Sequence, residues 1–123
     1  MLGLDTNILL GWLIEDCETK LPQADAYFIS LVVLAEFSWI YRRVMSGTKT
    51  DLVVAIETIL QRPSFHFANR SAIEAALNDY SSGKADFADY LLLHDSLANG
   101  AAAVLTLDRD AARHPSFLLA KGR

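Results

Sequence analysis

Residues 99–108 read Asn-Gly-Ala-Ala-Ala-Val-Leu-Thr-Leu-Asp. Asn99-Gly100 is a helix stop, because glycine takes the left-handed backbone that ends helices at no steric cost. Ala101–Leu107 is then a continuous apolar run, short for a helix and without the polar alternation of a half-exposed strand. That is the pattern of a strand covered on both faces. Asp108 closes it. A strand of this kind belongs to a parallel sheet with helices on either side, and such sheets collect their sites outside the carboxyl ends of the strands. The stretch therefore indicates both a fold and a place to look.

The same grammar recurs in both directions. A short strand over Met1–Leu4 leads into a helix from Thr6 to about Ile14. A polar stretch, Asp16–Asp25, contains Pro22. A β-type run, Ala26–Ile29, precedes a strongly apolar helix from about Leu31 to Met45, stopped by Ser46-Gly47. Thr48 or Thr50 opens the next helix, which runs to about Leu60 and halts before Pro63. Phe65–Ala68 reads as a brief strand, and Ser71-x-x-Glu74 as a capping box opening a helix to about Tyr80. Asp86 begins a helix that ends at Asn99-Gly100. A helical turn from Asp108 and a strand at Phe117–Leu119 complete the chain. Strands alternating with helices on this scale predict one α/β domain over residues 1–123, a mainly parallel central sheet between helical layers.

Bulk properties narrow the function. The 123 residues are 52% hydrophobic, with a formal net charge of −4. A small domain keeps much of its surface exposed, so this composition points to a dimer face or a partner groove, with Trp12, Trp39 and Tyr41 as candidate residues of a dimer face. The negative balance means that any attraction to nucleic acid is local, through bound cations and a few Lys and Arg side chains. One cysteine, Cys17, allows no internal disulfide and suits a reducing compartment. The opening residues show no basic segment followed by an apolar stretch, and no uncharged run approaches the roughly 20 residues that span a bilayer. The expectation is a cytoplasmic protein with no membrane partner.

The chemistry is carried by carboxylates in apolar surroundings. On a helix, Glu36 has Val32, Val33, Trp39 and Ile40 as its neighbours three and four positions away. A buried acid there needs a cation, either a metal or an arginine such as Arg42 or Arg43; the other reading is a Glu at the edge of the stripe. Asp5 and Asp108 each follow a strand, where an aspartate serves as a helix N-cap or as a site ligand. Asp86 and Asp89, spaced i and i+3, share one face of a first helical turn. They suit either the helix dipole or a metal. Asp95 and Asp110 read as surface residues, and His66, His94 and His114, lacking metal-ligand spacing, as structural. Oxygen donors without cysteine or histidine support favour Mg²⁺ or Mn²⁺.

With these residues identified, the chain resembles a PIN-domain ribonuclease, and within that family the VapC-type toxins of toxin–antitoxin systems. The resemblance rests on Leu4-Asp5-Thr6-Asn7-Ile8-Leu9, Ser30-Leu-Val-Val-Leu-Ala-Glu36-Phe, Asp86-Phe-Ala-Asp89-Tyr-Leu, and Leu105-Thr106-Leu107-Asp108-Arg109-Asp110-Ala-Ala-Arg113, in that order over essentially the whole chain. It implies a three-layer α/β/α sandwich and a metal-binding set of Asp5, Glu36, Asp89 and Asp108 with Asp86 as a fifth member. Asn7 and Thr106 would support the acids. It also implies RNA hydrolysis, homodimerisation and inhibition by a small antitoxin. The segment Glu15–Asp25 is shorter than is usual in that family. Lys84 and Arg109, close in sequence to the acids, are candidates for phosphate contact or simply solvated charges. Two other functions compete: a PIN-like module that binds RNA or protein without cutting, and a phosphohydrolase with an Asp nucleophile. The second usually wants another acid two residues after the nucleophile, where this chain has Asn7.

Overall fold

The computed structural model describes residues 1–15 and 21–121. Residues 16–20 of the expected polar stretch, Cys17 among them, lie outside the described residues. The fold is α/β. The chain divides into two compact units, Met1–Arg70 and Ser71–Arg123.

In the first unit, β1 (Leu2–Gly3) runs into α1 (Thr6–Glu15). Then come β2 (Tyr27–Phe28), α2 (Leu31–Arg43), α3 (Lys49–Gln61) and β3 (Phe65–His66). The strands form one sheet in the order β1-β2-β3. Both pairings are parallel, with Leu2 opposite Tyr27 and Tyr27 opposite Phe65. Each pairing is extended at its ends: Leu4 N–H reaches Phe28 O and Ile29 N–H reaches His66 O, both at 3.0 Å. The Phe65 ring meets Trp12 and Tyr27 edge-on, at 4.9 and 6.0 Å between centroids. The Arg62 guanidinium lies 5.4 Å from the Trp12 ring centroid. Trp12 is buried, so it belongs to the interior of the chain and not to the dimer face expected of it.

The apolar helix α2 turns a different face inward from the one its sequence suggests. Val33, Leu34, Phe37 and Ser38 are buried, whereas Val32 and Trp39 are 67% and 54% exposed. Glu36 lies with the exposed residues. It is not a buried acid in a core-facing stripe, the edge position being the alternative that its neighbours also allowed, and Arg42 donates to Gly47 O at 3.1 Å. Hydrophobic residues occur on more than one side of this helix, so periodicity alone offers two candidate core stripes.

Helix starts follow their cap residues. Ser30 Oγ accepts from Val33 N–H at the head of α2. Ahead of α3, Thr48 Oγ1 accepts from Asp51 N–H at 3.0 Å and the Asp51 carboxylate accepts from Thr48 N–H at 3.1 Å. These bonds, the Thr48 backbone amide foremost, hold the Asp51 carboxyl below its ordinary pKa. Their stabilisation is present above the ordinary carboxylate pKa and fades as pH falls through the lowered one.

The second unit contains α4 (Arg70–Ser82), α5 (Phe87–Ala98), β4 (Val104–Thr106), a single-turn 3₁₀ helix (Ala111–Arg113) and β5 (Phe117–Leu119). β4 and β5 pair in parallel as a separate two-stranded sheet. The continuous buried strand expected over Ala101–Leu107 is therefore corrected. Only three of its residues are strand, and Leu105 and Leu107 are 72% and 74% exposed. Side chains alternate across a strand, so Leu105 points away from the side that Val104 and Thr106 share. The helix stop is as expected, with Gly100 at φ 98°. α4 starts at Arg70, one residue ahead of the proposed capping box, which puts Ser71 inside the first turn.

Thr48→Ala removes one arm of the α3 cap and is expected to lower folding stability by about 1 kcal/mol. Urea titration should show a shifted midpoint with an unchanged slope. An unshifted midpoint would mean that the start of α3 contributes nothing to global stability.

Candidate functional site

The second unit gathers three of the expected acids. Asp86 is the N-cap of α5, and Asp89 sits in the first turn, where its Oδ2 accepts the Asp86 backbone N–H at 3.2 Å. Asp108 follows β4. Its Oδ1 accepts from Asp110 N–H at 2.8 Å and from Ala111 N–H at 3.4 Å, which starts the 3₁₀ turn. Its own N–H donates to Thr106 Oγ1 at 3.0 Å.

Burial pushes the Asp89 carboxyl above its ordinary pKa, and the negative charges of Asp86 and Asp108 add to that rise; the Asp86 amide works against it. Asp86 and Asp108 thus both act on Asp89, although each carboxylate is also explained locally as a cap. Asp86 and Asp108 are exposed, while Asp89 is half-buried.

Asp5 and Glu36 belong to the first unit. Asp5 is exposed between β1 and α1, with its backbone carbonyl accepting from Ile8 and Leu9 at 3.1 Å and its Oδ1 from Thr6 N–H at 2.7 Å. Thr6 Oγ1 is buried without a hydrogen-bond partner. Asn7 is exposed in the first turn of α1, and Glu36 is exposed on α2. Asp110 is exposed as expected, 3.6 Å from Arg113 Nε.

A second cluster in the same unit carries no signature in the sequence. Asp79 Oδ2, from α4, meets His94 Nε2 of α5 at 2.6 Å and His114 Nε2 at 2.9 Å. Separations of 15 and 35 residues leave no local signal for such a trio. Ser116 N–H donates to His114 Nδ1 at 3.1 Å. An Nδ1 that accepts leaves the neutral ring's proton on Nε2, directed at Asp79.

The ligand atoms of the trio lie within 4.8 Å of one another, close enough to surround a metal ion. An ion, however, needs the Nε2 lone pair. Binding would shift the His114 proton to Nδ1 and set it against the Ser116 N–H. The arrangement is accordingly a hydrogen-bonded hub joining α4, α5 and the end of the 3₁₀ turn.

A cavity of about 330 Å³ opens beside the hub. Gly83 lies in its wall, and a Cβ there would collide with the Tyr90 hydroxyl and come within 2.8 Å of Asp79 O. That hydroxyl accepts the Ala85 N–H at 3.3 Å and holds the α4–α5 loop in place.

Comparison of the chain with known protein families, curated proteins and solved structures finds no match.

Two variants probe the clusters separately. Asp89→Asn removes a half-buried charge from between like charges, so at pH 7 the metal-free protein is expected to melt on the order of 1–2 °C higher. The wild-type native state holds the Asp89 proton more tightly than the unfolded chain. Its deficit therefore shrinks as pH falls through the raised pKa, and the two melting points should converge in acid. A lower midpoint for the variant at pH 7 would show that the bond to Asp86 N–H outweighs the repulsion.

Asp79→Ala leaves two imidazole N–H groups without their acceptor and is expected to cost about 2 kcal/mol. Chemical denaturation measures it, and a neutral result would dismiss the hub as a structural tie.

Proposed function

We propose that the chain is a Mg²⁺-dependent endoribonuclease, with Mn²⁺ able to substitute, of the PIN-domain type and of three-layer α/β/α architecture. In this reading it is the toxin of a toxin–antitoxin pair, a homodimer with RNA as substrate and a small antitoxin as inhibitor. The observation that carries the reading is the half-buried Asp89 carboxylate, its pKa raised chiefly by burial and further by the charges of Asp86 and Asp108 beside it. A divalent cation offsets those charges, and an all-oxygen donor set suits a hard ion. The four ordered sequence blocks supply the rest, and with them the assignment of Asp5 and Glu36 to the acidic set.

The carboxylates have capacity for both tasks asked of them. Asp5 and Asp108 each accept backbone N–H groups on Oδ1, and Asp89 does so on Oδ2. In each case the bonded oxygen holds the side chain in orientation, and a ligand role would fall to the second. Thr106, by accepting from Asp108 N–H, fixes the backbone from which Asp108 projects. The ion, when bound, polarises the phosphodiester and lowers the pKa of an attacking water. The protein's own part would be to hold the ion through Asp5, Glu36, Asp86, Asp89 and Asp108 and to position the phosphate against it. The exposed Val32 and Trp39 on α2 provide apolar surface consistent with a dimer or antitoxin face.

Asp5→Asn and Asp89→Asn are each expected to lose cleavage of a mixed RNA substrate by about 100-fold or more, with the fold retained. Asn caps helices about as well as Asp. Gel assays with and without Mg²⁺, beside thermal midpoints, check this. Cleavage retained by both variants would refute the acidic site. Wild-type protein that binds RNA and never cuts it would assign the chain to a non-catalytic PIN-like module.

A further inference from the structure

The cavity beside the Asp79 hub carries charge that the cleavage chemistry does not use. Its lining includes Lys84, Arg113, Ser82, Gly83, His114 and Asp79. Lys84 and Arg113 are basic side chains in a chain whose net charge is −4. The lining carboxylate, Asp79, already has one oxygen held by two imidazoles. Arg113 lies 3.6 Å from Asp110, and both side chains are more than half exposed. So loose a pair does not use up the guanidinium fork, which matches the oxygens of a phosphate.

Size and place agree with this charge pattern. About 330 Å³ is enough for a phosphate with part of its sugar. Lys84 precedes Asp86 by two residues, which keeps their Cα atoms within about 7 Å. Tyr90, also in the cavity wall, directly follows Asp89. The cavity and the acidic trio are therefore neighbours on the same loop and helix start.

We propose that this cavity binds a phosphodiester phosphate of single-stranded RNA, one that flanks the phosphate being cut. Lys84 and Arg113 hold its oxygens, Ser82 adds a hydroxyl, and the Asp79 hub fixes the cavity wall. The identity of the anion rests on the ribonuclease reading; the presence of an anion site does not.

The test is run without metal, in EDTA, so that it is independent of cleavage. A short single-stranded oligoribonucleotide is titrated by fluorescence anisotropy at several salt concentrations. Inorganic phosphate is titrated separately while the His114 ring is followed by NMR. Lys84→Ala/Arg113→Ala is expected to bind the oligonucleotide about 10-fold more weakly, with a salt slope smaller by about 0.7 for each phosphate no longer neutralised. Phosphate should shift the His114 signals of the wild type and leave those of the double variant unmoved.

Arg42→Ala/Lys121→Ala removes the same charge elsewhere and should bind within about twofold of wild type. Equal weakening by this control would overturn the proposal in favour of diffuse attraction. A His114 response to Zn²⁺ and none to phosphate would overturn it in favour of a metal site. Phosphate binding that the oligonucleotide does not compete away would overturn the RNA assignment. Intact binding in a wild type that cuts no RNA would defeat the ribonuclease reading, and with it the flanking of a cut phosphate, and leave only the anion site standing.

Discussion

A parallel neighbour cannot be reached through a tight turn, and each strand pairing described here, β1–β2, β2–β3 and β4–β5, is parallel. The chain must leave the end of one strand, cross over, and re-enter at the far end of the next. In the first unit the crossovers are α1 and then the α2–α3 pair; in the second, β4 and β5 are joined across a single 3₁₀ turn. Much of the remaining structure follows from this. Helix and turn starts fall just after strand ends, and the residues there must satisfy exposed backbone N–H groups. Asp5, Ser30 and Asp108 occupy such positions.

The consequence for chemistry is that capping and ligation need not compete. A carboxylate has two oxygens, and a cap consumes one. Asp108 shows this most fully: Oδ1 is taken by two amides of the turn that follows, while the backbone behind it is held by Thr106. A side chain fixed in this way presents its other oxygen in one direction, which is what a metal site needs. Asp89 adds a cost. Its partial burial, with the charges of Asp86 and Asp108 beside it, raises its pKa, so its charged form is disfavoured in the folded protein.

The Asp79 hub works by the opposite logic. Its donors and acceptor satisfy one another, with Ser116 fixing the tautomer of His114. It is a positioning device for the α4–α5 loop and the segment after the 3₁₀ turn, and so for the cations Lys84 and Arg113 that line the neighbouring cavity. Gly83 and Tyr90 contribute through shape: the loop can lie against the Tyr90 hydroxyl because position 83 has no Cβ.

The local rules legible in the sequence were those with a short physical range. Thr48, Asp86, Asn99 and Gly100 mark helix ends because capping is settled within a few residues, and the α/β alternation is visible because periodicity is local too. The acids at strand ends were legible for the same reason. The tertiary structure decided what depends on distant partners. The apolar sides of α2 were equivalent in sequence, and packing chose Val33, Leu34 and Phe37 for the interior while leaving Glu36, Val32 and Trp39 exposed. Trp12 went inward under Arg62. The apolar residues 101–107 became a short strand in a two-stranded sheet. The meeting of Asp79 with His94 and His114 could not be read at all, because a hydrogen bond between residues on different elements leaves no periodic trace along the chain; only folding brings its partners within reach.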